Sequence, residues 1–384
     1  MNSLHRTPLK AAVVLGMATV IMLSGCAGGG GSGSTGADGD YVVPDSDIEA
    51  TLTVATAGGP EDAALYDAAT ARFNERFPNV TVENNFTNSA SWTDYINKLL
   101  SQIAAGDSPD VITMATEGIE FGYSKDLFLP LDNYIDQDQE AQDLLADIAD
   151  PLVESFQKDG ETYLLPNNWN AMVMFYNTRM FEEAGIERPR DDWTIDEFLE
   201  IAQQLTTGSG DNKVFGFGIP SFSWALQPWL YSHGASWASE DLTEPTLDSP
   251  EMVEAMQFLQ DLVLKYQVSP QTAGSDPYQL FPAEKVAMTA GGSFMMVPLQ
   301  DAGMDDYDVL PWPKDVSQTS VFGTSGVSIY KDAQNKDLAW EYLKELAGQE
   351  SQMDYAVART NNPTTRTAAT SPEFLGTIPQ HRSE

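Results

Sequence analysis

Three short apolar stretches, with two amphipathic stretches between them, dominate the first third of this 384-residue chain. Residues 51–57, 80–86 and 110–114 are apolar or rich in β-branched side chains and predict strands. Residues 61–77 and 92–105 place apolar side chains at helical spacing and predict helices. Strands that alternate with helices in this order are typical of a parallel sheet covered by helices.

A second series of strand and helix patterns begins near residue 163. Thr194 and Glu197 have the spacing of a capping box, which predicts that a helix starts there. Residues 214–219 predict a strand, and residues 251–266 predict a long helix. At roughly 100–200 residues per domain, the length favours two α/β lobes over one.

The N-terminus predicts an export signal. A basic segment is followed by an uncharged apolar run over residues 11–23, which is too short to span a bilayer comfortably. The run ends in Leu-Ser-Gly before Cys26, which resembles the bacterial lipobox, where the cysteine is lipid-modified and the signal is cut just before it. We therefore expect a lipoprotein signal peptide over 1–25, lipidation of Cys26, and a Gly/Ser-rich tether over 26–47.

The charge balance excludes several functions. The chain has 57 acidic and 20 basic residues, a net charge of −37, one cysteine and three histidines. Nucleic-acid binding needs fields of Lys and Arg, so no nucleic-acid partner is expected. One cysteine cannot form a thiolate zinc site or an intrachain disulfide, and three histidines leave little for a histidine metal site. We expect no metal, no cofactor and no catalytic residues, since no nucleophile motif or phosphate loop is found.

Several motifs, in order along the chain, resemble one family: the extracellular solute-binding proteins of ABC importers, in the maltodextrin-binding-like class (family 1). No single motif is specific, but their order is. They are GDSPDV at 106–111, LFLPLD at 127–132, WTIDEF at 193–198, KVAM with GGSF at 285–294, and LPWP at 310–313.

The resemblance implies a two-lobe periplasmic-binding-protein-like α/β fold of class II. Hinge crossovers join the lobes, and solute binds in the cleft between them. The order of the motifs assigns residues 48–168 plus 326–364 to the N-terminal lobe. It assigns residues 169–325 plus 365–384 to the C-terminal lobe, whose end is short for the family.

Sugar recognition needs aromatic rings against C–H faces and polar groups against hydroxyls. The resemblance implies that Trp224 and Phe294 are stacking aromatics and that Asn170 faces solute at a crossover. The other predicted ligand-binding residues follow strands or lie in loop-like segments: Gly59, Glu61, Thr116, Glu117, Trp169, Trp229 and Ser293. Core packing for the tryptophans, a simple turn for Gly59 and a solvated surface role for Glu117 are the alternatives.

The expected function is therefore a monomeric, extracytoplasmic, lipid-anchored receptor, not an enzyme. It would capture a sugar or oligosaccharide and deliver it to an ABC transporter permease. Alternatives are a secreted carbohydrate-active enzyme, a surface scaffold, and a receptor for another solute such as glycerol phosphate or a polyol. Acidic residues are numerous enough that their count alone does not dismiss a glycosidase pair.

Overall fold

The computed structural model describes residues 40–89, 92–239, 241, 243–376 and 379. The predicted signal peptide and Cys26 lie outside these residues. Within them, ten strands form three sheets. The strands are β1 (Ala50–Ala57), β2 (Val80–Thr87), β3 (Val111–Ala115), β4 (Gln157–Lys158), β5 (Glu161–Thr162), β6 (Leu165–Ala171), β7 (Val173–Asn177), β8 (Met288–Gly291), β9 (Tyr307–Leu310) and β10 (Phe322–Ile329).

Helices cover the sheets and connect the strands. In the described ranges they are α1 (Pro60–Arg76), α2 (Trp92–Ala105), α3 (Ile119–Ser124), α4 (Asp132–Gln137), α5 (Gln139–Asp147), α6 (Asp150–Glu154), α7 (Thr178–Glu183), α8 (Ile195–Leu205), α9 (Ser223–Ser232), α10 (Pro250–Leu264), α11 (Pro277–Leu280), α12 (Met296–Asp301), α13 (Lys336–Ala347), α14 (Gln349–Ala358), α15 (Arg366–Ala369) and α16 (Pro372–Leu375). Two short 3₁₀ helices lie at Gly210–Asn212 and Ser293–Met295.

The first lobe is built on a five-stranded sheet of order β2-β1-β3-β10-β6. β1 pairs in parallel with β2 and β3, as the alternating pattern predicts. β10 is antiparallel to both β3 and β6, so it joins two parts of the chain that are distant in sequence. The core includes residues from β1, β3, α1 and α13, among them Leu52, Ile112, Phe73 and Trp340.

The second lobe has its own antiparallel sheet, of order β8-β7-β9, and its own core. Phe198, Phe217, Trp229 and Trp312 pack together there and are almost fully buried. The buried clusters of the two lobes lie on different sheets, so the molecule has the expected two-lobe α/β fold. The strand predicted over 214–219 is wrong, because that segment makes only isolated bridges to its neighbours.

The capping signals at the start of α8 are confirmed. The Thr194 hydroxyl accepts a hydrogen bond from the Glu197 N–H, while the Glu197 carboxylate accepts one from the Thr194 N–H at 2.7 Å. Trp193, just before this cap, packs edge-on against Phe198 with 6.0 Å between ring centroids. This contact is the hydrophobic staple that fixes the entry of the chain into the helix.

Two predicted boundaries need correction. The tether predicted over 26–47 ends earlier, because Tyr41 already packs on the first lobe: its ring lies 5.5 Å from that of Tyr134, and its hydroxyl donates to the Glu341 carboxylate. Residues 365–384 are predicted in the second lobe. Their described part packs on the first instead: Thr365 bridges Ile148, and the Arg366 guanidinium donates to the Ala146 carbonyl at 2.9 Å. The crossover limits predicted after residues 168 and 325 fall within strands of the first sheet, because β6 runs to Ala171 and β10 begins at Phe322.

Candidate functional site

A cavity of about 560 Å³ opens where β1 and β2 end. Gly58 and Gly59 follow β1 and line it, and Asn88 and Ser89 follow β2 and line it from another side. The carboxyl ends of parallel strands are the general place for ligands in open α/β sheets. Trp92, at the start of α2, contributes an aromatic ring to the wall.

Hydroxyl groups form the buried floor of this cavity. The Tyr66 hydroxyl shares hydrogen bonds with the hydroxyls of Thr56 at 3.2 Å and Thr113 at 3.0 Å. Burial raises the pKa of Tyr66 above its ordinary value, so its phenol stays protonated and neutral. The floor therefore offers neutral donors and acceptors, the type of group that suits solute hydroxyls.

A second set of polar side chains lines the cavity from β6, β10 and the α14 segment. Asn168 and Ser325 are paired across β6 and β10, and both line the cavity. The Asn168 amide lies 3.5 Å from the hydroxyl of Tyr355, whose pKa burial raises well above its ordinary value. Asn361, just beyond α14, completes this wall.

Asn170 connects this cavity to the second lobe. Its side-chain oxygen accepts hydrogen bonds from the Ser293 N–H, at 2.8 Å, and from the Ser293 hydroxyl. Its amide nitrogen donates to the side-chain oxygen of Asn361, a cavity residue. The structure thus brings the predicted residues Asn170 and Ser293 into direct contact at the edge of the cavity.

The two aromatics implied by the family resemblance also lie together. The rings of Trp224 and Phe294 are 6.3 Å apart between centroids, and Tyr278 lies edge-on to Phe294 at 5.7 Å. Trp224 is half-buried at the start of α9, and Phe294 is half-buried in a 3₁₀ helix. Both therefore keep part of their apolar surface accessible.

Gly323 is the point where predicted residues of both lobes meet. It is paired with Asn170 in the β10–β6 ladder. A Cβ at Gly323 would lie 3.4 Å from a Glu117 carboxylate oxygen, 3.5 Å from the Thr116 hydroxyl and 3.7 Å from the Trp224 ring. A side chain here would fill the space between these three groups, so glycine leaves that space open.

Among the predicted ligand-binding residues whose side chains the structure describes, only Gly59 lines the cavity. The residues outside its lining are Thr116, Glu117, Trp169, Asn170, Trp224, Trp229, Ser293 and Phe294. Trp229 is corrected: only 1% of its surface is exposed, and its ring packs against Phe198 and Trp312 in the second core, so it is out of reach of a solute. Trp169 does not line the cavity, and its ring N–H donates to the Pro363 carbonyl at 2.9 Å. Glu61 lies in the first turn of α1, but its side chain falls outside what the structure describes.

The sequence reasoning missed several residues that line the cavity: Asp62, Asn88, Trp92, Asn168 and Asn361. Asn88 could have been found, because it directly follows a predicted parallel strand. Trp92 has the spacing of the apolar face of α2. This spacing predicts core packing, so it does not indicate a place in the cavity wall. Asn168 and Asn361 carry no local signal, because only the pairing of β6 with β10 and the path of the chain after α14 bring them to the site.

In the described part of the chain, no group of three or more His, Cys, Asp or Glu side chains is placed to hold a metal ion. No helix in those ranges has both the length and the apolar character needed to cross a bilayer.

Comparison with known proteins adds to this geometry. The family model described as bacterial extracellular solute-binding protein matches residues 68–376, more than half of the chain. The arabinooligosaccharide-binding protein of Halalkalibacterium halodurans is 25% identical over 324 residues, covering 80% of this chain and 69% of the relative.

Solved structures with the same fold include an ABC substrate-binding protein from Listeria monocytogenes in complex with cycloalternan. Its TM-score is 0.77 at 26% identity, covering 87% of this chain and 85% of that chain. UgpB from Mycobacterium tuberculosis in complex with glycerophosphocholine has a TM-score of 0.72 at 18% identity, covering 88% of this chain and 85% of that chain. At that identity the second likeness concerns the fold alone.

Proposed function

Because the chain belongs to the family of bacterial extracellular solute-binding proteins, as its sequence motifs predict, we propose that it captures a sugar or an oligosaccharide and delivers it to the permease of an ABC importer. The observation that carries this proposal is the cavity. Hydroxyl and amide groups line it together with the Asp62 carboxylate, and Trp92 is part of its wall. Trp224 and Phe294 lie near Asn170 at its edge without lining it. Rings and hydroxyl-binding groups together are what a carbohydrate needs.

The relatives support a carbohydrate over other solutes. One is named for arabinooligosaccharides, and a solved structure at 26% identity holds cycloalternan. The mechanism follows from two lobes linked at Asn170: solute that contacts both lobes shifts the population towards the closed form, which the permease recognises. The protein would act as a monomer outside the cytoplasm, anchored by lipid on Cys26, and would release its ligand unchanged.

A panel of neutral mono- and oligosaccharides tests the proposal by thermal denaturation and titration calorimetry. A ligand present at 100 times its Kd adds about 2.7 kcal/mol of stability, which is a readily measured rise in Tm. If no carbohydrate in the panel raises the Tm or gives heat of binding, the sugar assignment is wrong.

The same panel separates the alternatives. Chromatography of the sugar after long incubation distinguishes a receptor, which returns it intact, from a carbohydrate-active enzyme, which produces fragments. Glycerol phosphate, glycerophosphocholine and polyols belong in the panel because a protein of the same fold holds glycerophosphocholine. A stronger response to one of these than to any sugar would favour a receptor for that solute.

A further inference from the structure

The N-terminus of α1 opens directly into the cavity. Gly58 and Gly59, which precede this 17-residue helix, both line the cavity. The exposed N–H groups at the start of a helix carry about half a positive charge, and they commonly bind phosphate or carboxylate groups. On this ground alone, the site would accept a sugar that carries an anionic group.

The chain's own carboxylate already occupies this position. Asp62 also lines the cavity, and one of its carboxylate oxygens accepts a hydrogen bond from the Gly59 N–H at 3.3 Å. The same carboxylate folds back over Gly58, where a Cβ would collide with it. Gly58 has a positive φ of 141°, which L side chains rarely adopt, so glycine permits this close approach.

A second carboxylate lies farther along the same surface. Gly323 and Ser325 are two residues apart on β10, so they share a face of the strand. Ser325 lines the cavity, and the Glu117 carboxylate stands over Gly323. A solute that extends from the cavity towards Trp224 therefore has an acidic side chain near each end.

The described residues that line the cavity include no lysine or arginine. Lys98 and Arg359 belong to the elements around it, but Lys98 pairs with Asp94 at 2.8 Å and neither residue is part of the lining. The field of Asp62 reaches the floor: burial is the main cause that raises the pKa of Tyr66 and Tyr355, and the negative charge of Asp62 adds to the effect on both.

We propose that Asp62 is a specificity-determining residue that restricts the site to neutral or cationic carbohydrates, including amino sugars, and excludes sugars that carry phosphate or carboxylate groups. The inference rests on the proposed function and narrows its substrate class. Asp62 acts by occupying the helix N-terminus that would bind an anion and by repelling an anion that approaches.

The test compares one sugar in two charge states. The neutral oligosaccharide that binds most tightly in the panel is used together with its form oxidised to carboxylates at the primary hydroxyls. Both are titrated into the wild type, Asp62→Asn and, as a matched control, Asp67→Asn, which removes an exposed acid from the same helix. Asparagine keeps an oxygen that can accept from the Gly59 N–H, so the cap is retained while the charge is lost.

We expect the wild type to bind the oxidised sugar at least about tenfold more weakly than the neutral sugar. The ratio of the two dissociation constants, oxidised over neutral, should fall about tenfold in Asp62→Asn and stay unchanged in Asp67→Asn. In the wild type, raising the salt from about 20 mM to about 500 mM should also reduce the ratio, because salt screens charge repulsion. Salt does not replace the hydrogen bonds that the primary hydroxyls make before they are oxidised.

Equal or tighter binding of the oxidised sugar by the wild type would overturn the inference while leaving the proposed function intact. A ratio that neither Asp62→Asn nor salt alters would overturn it as well, since the weaker binding would then come from the missing hydroxyls. If no sugar binds, the proposed function fails and this inference fails with it.

Discussion

The side-chain oxygen of Asn170 lies 2.8 Å from the backbone nitrogen of Ser293 and accepts its hydrogen bond. Asn170 belongs to β6 in the sheet of the first lobe, and Ser293 precedes α12 in the second lobe. The Asn170 amide also donates to Asn361 in the cavity wall. One side chain therefore links both lobes and the candidate site.

Asn170→Ala should weaken sugar binding by about tenfold and shift the unliganded protein towards a more open form, because it removes hydrogen bonds worth about 1 kcal/mol each. Titration calorimetry measures the first effect and small-angle X-ray scattering the second. Asn97→Ala, at an exposed position on α2, is the control. Unchanged affinity and scattering would show that Asn170 has neither role.

Two tryptophans on α9 should respond in opposite ways. Trp224→Ala should lower sugar affinity at least about tenfold with little loss of stability, since the ring is half-buried beside Phe294. Trp229→Ala should lower the free energy of unfolding by about 3–5 kcal/mol, because it leaves a cavity in the core of the second lobe. Urea denaturation and calorimetry on both variants separate the two roles. If the Trp224→Ala protein is stable and binds sugar as tightly as the wild type, Trp224 is not part of the binding site.

Trp92→Ala should also weaken sugar binding by about tenfold, because Trp92 contributes an aromatic ring to the cavity wall. Phe121→Ala removes an aromatic that is 40% exposed and does not line the cavity, so it should bind like the wild type. Fluorescence titration compares the two. If both variants bind equally well, solute does not use the wall of the cavity at α2.

Asp138→Asn should lower the free energy of unfolding by about 2 kcal/mol at pH 7 and by much less at pH 3. Burial would raise the pKa of Asp138, but hydrogen bonds from Lys344 at 2.8 Å and Trp340 at 3.0 Å outweigh it and lower that pKa. A carboxylate whose folded-state pKa is depressed stabilises the fold above its unfolded pKa, near 3.9. This stability is lost as the pH falls through the folded value.

Urea denaturation at both pH values measures this difference. A cost of the same size at pH 3 and pH 7 would mean that the charge of Asp138 does not contribute to stability. Sugar affinity at pH 7 should not change, since Asp138 is not among the cavity residues.

Thr194→Ala should destabilise the protein by about 1 kcal/mol without changing sugar affinity, because it removes the N-cap of α8. Glu200→Ala changes an exposed residue of the same helix outside the capping box and should have little effect. Thermal denaturation compares the two. Equal stability of both variants would mean that the capping box contributes nothing measurable.

The parts of the fold that the sequence predicts well are those that local spacing determines. α2 begins and ends at the predicted residues, and the Thr194–Glu197 cap forms as expected. Each of these signals lies within one helix and its flanks, so no distant partner is needed to interpret it.

The site is less accessible to such reasoning, because it depends on pairing between distant segments. Trp224 lies against Phe294, and Asn170 bonds to Ser293, but their contact with a solute stays a prediction that rests on the family resemblance. Trp229 is only five residues from Trp224, but the turn of α9 points it into the core. Asp62 has the spacing of a helix cap, and only the structure shows that the cap faces a cavity.

The place of β10 between β3 and β6 has a consequence for the order in which the chain folds. The core of the second lobe is drawn mainly from residues 172–312, so it can condense from one continuous segment. The first sheet cannot close until β10 arrives, more than 200 residues after β3. Such high contact order slows folding, because a long loop must be closed first. The first sheet thus stays incomplete until residues 322–329 are available, when more than four fifths of the chain has already been made.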